Sequence, residues 1–222
     1  MKAFTRILVL FMLALALVPA CVAENQPEVS VIDESGITAV SPDQIELVFN
    51  VKYTAADRAK LAVVPFSKED LIAARNQNFV LVAGYPITLA EMHAAKTFIN
   101  EDYDEFIRYL TEPLAKEPVG VRWFLIRKGL LSWSEHAPYA EQSALVPHGE
   151  QIPPTRDIVF ATLALYLTTG ERMLGNRMAS SSDLSPAYGR TFVGLSGNKV
   201  FIDFEPNDEG HLGMGVLTTI EP

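Results

Sequence analysis

Four histidines, His93, His136, His148 and His211, each lie within two positions of a glutamate: Glu91, Glu135, Glu150 and Glu209. A neutral imidazole and a carboxylate are both good ligands for zinc and related divalent metals. No spacing forms a zinc signature, because there is neither a His-x-x-x-His on a helical pattern nor a His-x-His on a strand pattern. The set best placed for chemistry is Glu135, His136, His148 and Glu150. They share a proline-containing loop, and loops held on a rigid scaffold carry function disproportionately. The histidines would serve there as metal ligands or acids and a carboxylate as general base, the parts of a metal-assisted hydrolase. His93 lies beside the apolar stripe of a helix, where a boundary histidine is the ordinary reading.

The other constellations are weaker. In "DFEPNDE", Asp203 and Glu205 fall on one side of a strand with Asp208 and Glu209 in the turn after it, a grouping suited to a divalent cation or to a plain acidic turn. "NEDYDE" at residues 100–105 lacks the glycine and the distal glutamate of a calcium loop. "SGNK" at residues 196–199 matches Ser-x-x-Lys, yet strand-like runs flank it and no Lys-Thr-Gly accompanies it. "GHLGMG" precedes a strand instead of a helix, so it is no dinucleotide loop. "GERMLGNRMASSSDL" sets Arg172 and Arg177 near Ser180, Ser181, Ser182 and Asp183, which would suit an anion or carboxylate ligand. The plainer reading is a helix end running into a serine-rich loop. The aromatic residues Trp123, Phe124, Trp133, Tyr139 and Phe160 would suit a ligand groove, but most are more simply core residues, and Trp133 in "SWSEH" is the one to watch for exposure.

The only cysteine, Cys21, stands at the end of an apolar run. Lys2 and Arg6 precede twelve apolar residues, 7–18, and small residues follow, the layout of a secretory signal peptide. A membrane span needs about 20 such residues. "VPAC" suggests a lipoprotein cleavage site, with Val18 and Ala20 fitting and Pro19 unusual; the alternatives are ordinary cleavage after Ala20 or Ala23, or Cys21 as one more small residue of the signal. The expected organisation is a signal peptide over 1–20, a lipid-anchor cysteine and short tether over 21–27, and a single globular domain over 28–222.

Loss of Lys2 and Arg6 with the signal peptide takes the net charge from −9 to −11. Such acidity argues against a nucleic-acid partner, because phosphate binding relies on clustered Lys and Arg. With one cysteine there is no disulfide framework, thiolate metal site or, after Cys21, cysteine nucleophile.

The elements expected to position these residues begin with strands over 28–32 and 44–53, a further β-like run ending near Pro65, and a short helix after Ser67. A strand follows at 79–85. Thr88 and Glu91 form a capping box for an amphipathic helix running to 111, closed by Pro113. Residues 119–128 read as a strand and 132–154 as mostly loop. A second helix over 156–169, with Thr155 as N-cap, is apolar almost all round and so buried. "RTFVGLSGNKVFIDFEP" reads as a hairpin, and residues 213–221 as a last strand. The fold class is α+β, a largely antiparallel sheet packed on two main helices, about 88–111 and 156–169, with a parallel crossover around 67–76 as an option.

No catalytic constellation outweighs its plainer explanation. The expected function is a non-catalytic ligand- or protein-binding domain of the bacterial envelope, lipid-tethered to a membrane or else periplasmic or secreted. Its partner would be an envelope protein or a small ligand, with Trp133, Arg172 and Arg177 as binding candidates. No cofactor is expected, and the alternative hydrolase would need a divalent metal.

Overall fold

The computed structural model describes residues 30–95, 109–197, 199–206, 209 and 213–222. The readings on the signal peptide, Cys21, the tether, residues 96–108, Asp208 and His211 lie outside the described residues. Among these there are seven α-helices and two four-stranded sheets, an α+β fold.

The N-terminal part is more helical than its apolar alternation suggests. Helix α1 (Val31–Ser35) replaces the expected strand, because Ser30 caps it and Gly36 ends it at φ 66°. After strand β1 (Ala39–Val40), helix α2 (Pro42–Phe49) overturns the strand expected from 44. Ser41 and Gln44 form a capping box, and Pro42 occupies the first turn, where its missing N–H costs nothing. Ile45, Val48 and Phe49 then repeat at helical spacing toward the core. Helix α3 (Ala55–Leu61), boxed by Thr54 and Asp57, ends as the expected β-like run near Pro65 begins, and residues 62–66 form no strand. Helix α4 (Lys68–Asn76) is capped by Ser67 as expected.

Strand β2 (Phe79–Ala83) is buried throughout and pairs parallel to β1, Ala39 opposite Leu81. The crossover is therefore real, and it carries three helices. Helix α5 (Leu89–Ala94) has the Thr88–Glu91 capping box, and residues 109–111 are helical before a 3₁₀ turn over Pro113–Lys116. Strand β3 (Trp123–Arg127) runs antiparallel to β2. A short helix α6 (Tyr139–Ala144) forms inside the region read as loop.

Helix α7 (Thr155–Thr169) is the centre of the molecule. Residues 158–165 are all buried, and the helix touches α2 and β1 on one side and the second sheet on the other. Phe160 stacks on Phe49 with ring centroids 5.1 Å apart. The N-cap is Pro154, not Thr155, and it makes no side-chain cap bond. Asp183 takes that role from across the core, its Oδ2 accepting the Thr155 N–H at 3.0 Å and the Tyr109 hydroxyl at 3.1 Å. The Thr155 hydroxyl is thereby left to pair with Thr191 at 2.6 Å and Ser181 at 2.9 Å.

The second sheet comprises β4 (Met178–Ser185), β5 (Gly189–Ser196), β6 (Lys199–Glu205) and β7 (Met214–Val216), in the order β6-β5-β4-β7. Strand β4 corrects the serine-rich loop: Ser181 and Asp183 point inward because they satisfy each other and the start of α7. The expected last strand divides. β7 joins the second sheet, whereas β8 (Thr219–Ile220) pairs with β3 in the first, whose order is β1-β2-β3-β8. The expectation of one sheet thus becomes two, each with one parallel and two antiparallel pairs. No helix among the described residues is long and apolar enough to cross a membrane.

Candidate binding site: the tryptophan turn

Beyond β3 the chain does not become a loose loop. Leu131 donates its N–H to Val216 at 2.7 Å, and His136 donates to Met214 at 3.1 Å, so residues 131–136 run along β7. Between these anchors Ser134 N donates to the Leu131 carbonyl at 3.2 Å, closing a four-residue turn. The buried Ser134 hydroxyl donates to the same carbonyl at 2.8 Å and accepts the Val216 N–H at 3.1 Å. A Cβ on Gly215 would sit 2.4 Å from that hydroxyl oxygen, so only glycine lets the turn lie this close to β7.

Trp133 occupies the third position of the turn at φ +68°, and Ser132 has an ordinary negative φ. That is the pattern of a type II turn, whose third position favours glycine or asparagine. A bulky residue in the left-handed region costs of order 1–3 kcal/mol and persists only where the surroundings determine it. Here the surroundings are the β7 anchors. The indole is 90 % exposed and regains nothing by packing.

The turn also gathers charged and polar neighbours. Glu135 forms an ion pair with Arg177 at 3.1 Å, with the arginine side chain 54 % exposed and the glutamate 28 %. His136 is exposed, itself at φ +72°. Of the residues read as binding candidates, Arg177 thus pairs with Glu135, two positions after Trp133. Arg172 does not: its guanidinium bonds the Gly197 carbonyl and ties the end of α7 to the β5–β6 turn.

The remaining candidates are dispersed. Glu150 is clamped by Arg127, whose Nη2 lies 3.2 Å from both carboxylate oxygens, and by the Thr218 hydroxyl. His148 is exposed in the turn before it. Asp203 accepts the neighbouring Phe204 N–H at 2.7 Å, and Glu205 is buried opposite Arg190 across the strand pair. No three His, Cys, Asp or Glu side chains among the described residues are grouped to hold a metal ion. The arginine and serine cluster is likewise divided between the Gly197 carbonyl, Glu135 and the cap of α7.

Sequence reasoning passed over two parts of the site, Ser134 and Gly215. Their signal is faint: a small hydroxyl after the aromatic residue, and a glycine in the middle of a strand, which marks close backbone approach. A serine-to-alanine change at 134 is expected to cost about 1–3 kcal/mol, because the buried Val216 N–H would lose its acceptor. Urea denaturation checks this, and amide exchange at Val216 should quicken in the same variant.

Comparison with known protein families, with curated proteins and with solved structures found no match for this chain.

Proposed function

We propose that this chain is a non-catalytic binding domain of the bacterial cell envelope, exported behind residues 1–20, tethered through a lipid on Cys21, and meeting its ligand or protein partner at Trp133. One observation carries the reading. A large apolar ring is held in a strained backbone conformation by a rigid frame and presented to solvent at 90 % exposure. Strain of this kind clusters at functional sites, and tryptophan is among the residues enriched at binding hot spots. The frame also keeps the ordering cost on binding low. The metal-assisted hydrolase alternative gains no support, since Glu135 and Glu150 are each engaged by a different arginine.

The test uses the full chain in mild detergent, passed over cell-wall particles and over immobilised envelope proteins. Retention on at least one is expected, and replacing Trp133 with alanine is expected to weaken it about tenfold or more. Equal retention of the variant, or none for the parent, overturns the reading. The anchor has its own check: the mature N-terminus should begin at a lipid-modified Cys21 by intact mass, and a free Val22 or Glu24 start contradicts it.

A further inference from the structure

Resting on that reading, we infer that the tryptophan turn recognises a neutral glycan, stacking Trp133 on the C–H face of a pyranose while the Glu135–Arg177 pair holds its hydroxyls. The chemistry beside the ring selects among ligands. The residues next to Trp133 in the chain are Ser132, Ser134, Glu135 and His136, all polar, and the other large exposed apolar side chains among the described residues, Leu47, Val63, Leu145, Leu184 and Tyr188, belong to other segments. Protein partners and lipid surfaces reward contiguous apolar area. A single flat ring set among hydrogen-bonding groups instead matches a sugar, apolar on one face and ringed by hydroxyls that both donate and accept. Trp133 supplies the platform for the apolar face.

The ion pair answers the edge. Glu135, two positions after Trp133, pairs with Arg177 at 3.1 Å, so an acceptor carboxylate and a donor guanidinium are offered together. Adjacent hydroxyls on one ring can donate to the first and accept from the second. His136, exposed at the foot of the turn, adds a third polar group. Net charge narrows the class: a chain at −9, or −11 without residues 1–20, repels polyanionic glycans, which leaves neutral hexose and N-acetylhexosamine polymers.

The experiment takes the full chain in detergent to an array of neutral hexose and N-acetylhexosamine oligomers, with immobilised envelope proteins in parallel. Binding to an oligomer is expected, with a change in tryptophan fluorescence. Trp133→Gly should weaken it about tenfold or more. Arg177→Met should also weaken it, with the fluorescence of the unbound protein unchanged. Binding that survives Trp133→Gly, or a full response in Arg177→Met, overturns the inference. Retention on envelope proteins through Trp133, without glycan binding, overturns the glycan class and leaves the binding site intact. Retention on neither surface overturns both.

Discussion

Replacing Arg122 with methionine is expected to destabilise the fold by about 3–5 kcal/mol at pH 7 and by much less at pH 4. Arg122 stands at the head of β3, its Nη2 2.5 Å from Asp157 and 3.1 Å from Glu221. Asp157 is fully buried in the first turn of α7, and its Oδ1 has no hydrogen-bond partner. Burial pushes its carboxyl from the ordinary 3.8 up to about 6, against the pull of Arg122 and Arg156 and with a push from Glu221. A raised acid favours the neutral form in the folded state. Its contribution is complete below about pH 4, is lost as pH rises through 6, and amounts to about 3 kcal/mol. Glu46 works in the opposite sense. Its bonds from Lys52 and the Tyr53 N–H hold it down to about 2, so its contribution fades as pH falls below the ordinary carboxylate range. The parent protein should therefore be most stable near pH 4. Without Arg122 the buried carboxylate keeps only the pull of Arg156, and the penalty grows with pH. Urea titrations at pH 4 and pH 7 decide it, and an equal penalty at both contradicts the account.

The second large effect lies at the centre of α7. Phe160→Ala is expected to cost about 3–5 kcal/mol, the sum of lost burial and an unfilled cavity against Phe49. Because α7 touches elements of both sheets, both should weaken together. Trp123 is buried in the first sheet, its indole N–H bonded to the Leu61 carbonyl at 3.0 Å. In the Trp133→Gly background Trp123 is the one remaining tryptophan, so its fluorescence reports the first sheet while circular dichroism reports the whole. Coincident transitions shifted to lower urea are expected. Two separated transitions, or a loss below about 1 kcal/mol, contradict a shared core.

These two positions show what a sequence conveys and what it hides. The run 158–165 is apolar on every side, so burial of α7 follows from composition. The capping boxes at Thr88 and Ser67 are written in adjacent residues and could be read directly. Helix α2 was harder, because "QIELVFNVKY" satisfies alternation almost as well as helical spacing. What decided it were Ser41 and Pro42, outside the alternating run. The division of the last strand between two sheets depends on which partners lie within reach, and no local pattern encodes that.

The site was legible one residue at a time. "SWSEH" falls in the region read as mostly loop, and Trp133, the aromatic to watch for exposure, is 90 % exposed. Arg177, which pairs with Glu135, lies more than forty positions further along the chain, and the register of β4 against β7 brings the two regions together. Asp157 reads in sequence as an ordinary acid favoured by the helix dipole. That it is buried against Arg122 depends on where β3 begins.

On the proposed reading, Trp133 is kept for binding at the expense of folding. The direct measurement is the stability and the retention of Trp133→Gly in one preparation. Glycine relieves the left-handed strain at φ +68°, and the exposed ring forfeits almost no packing. After the entropy glycine adds to the unfolded chain, a net gain of about 1 kcal/mol is predicted, together with loss of retention on the envelope ligand. A variant that is less stable than the parent and still retained would contradict the account, since the tryptophan would then serve the fold alone.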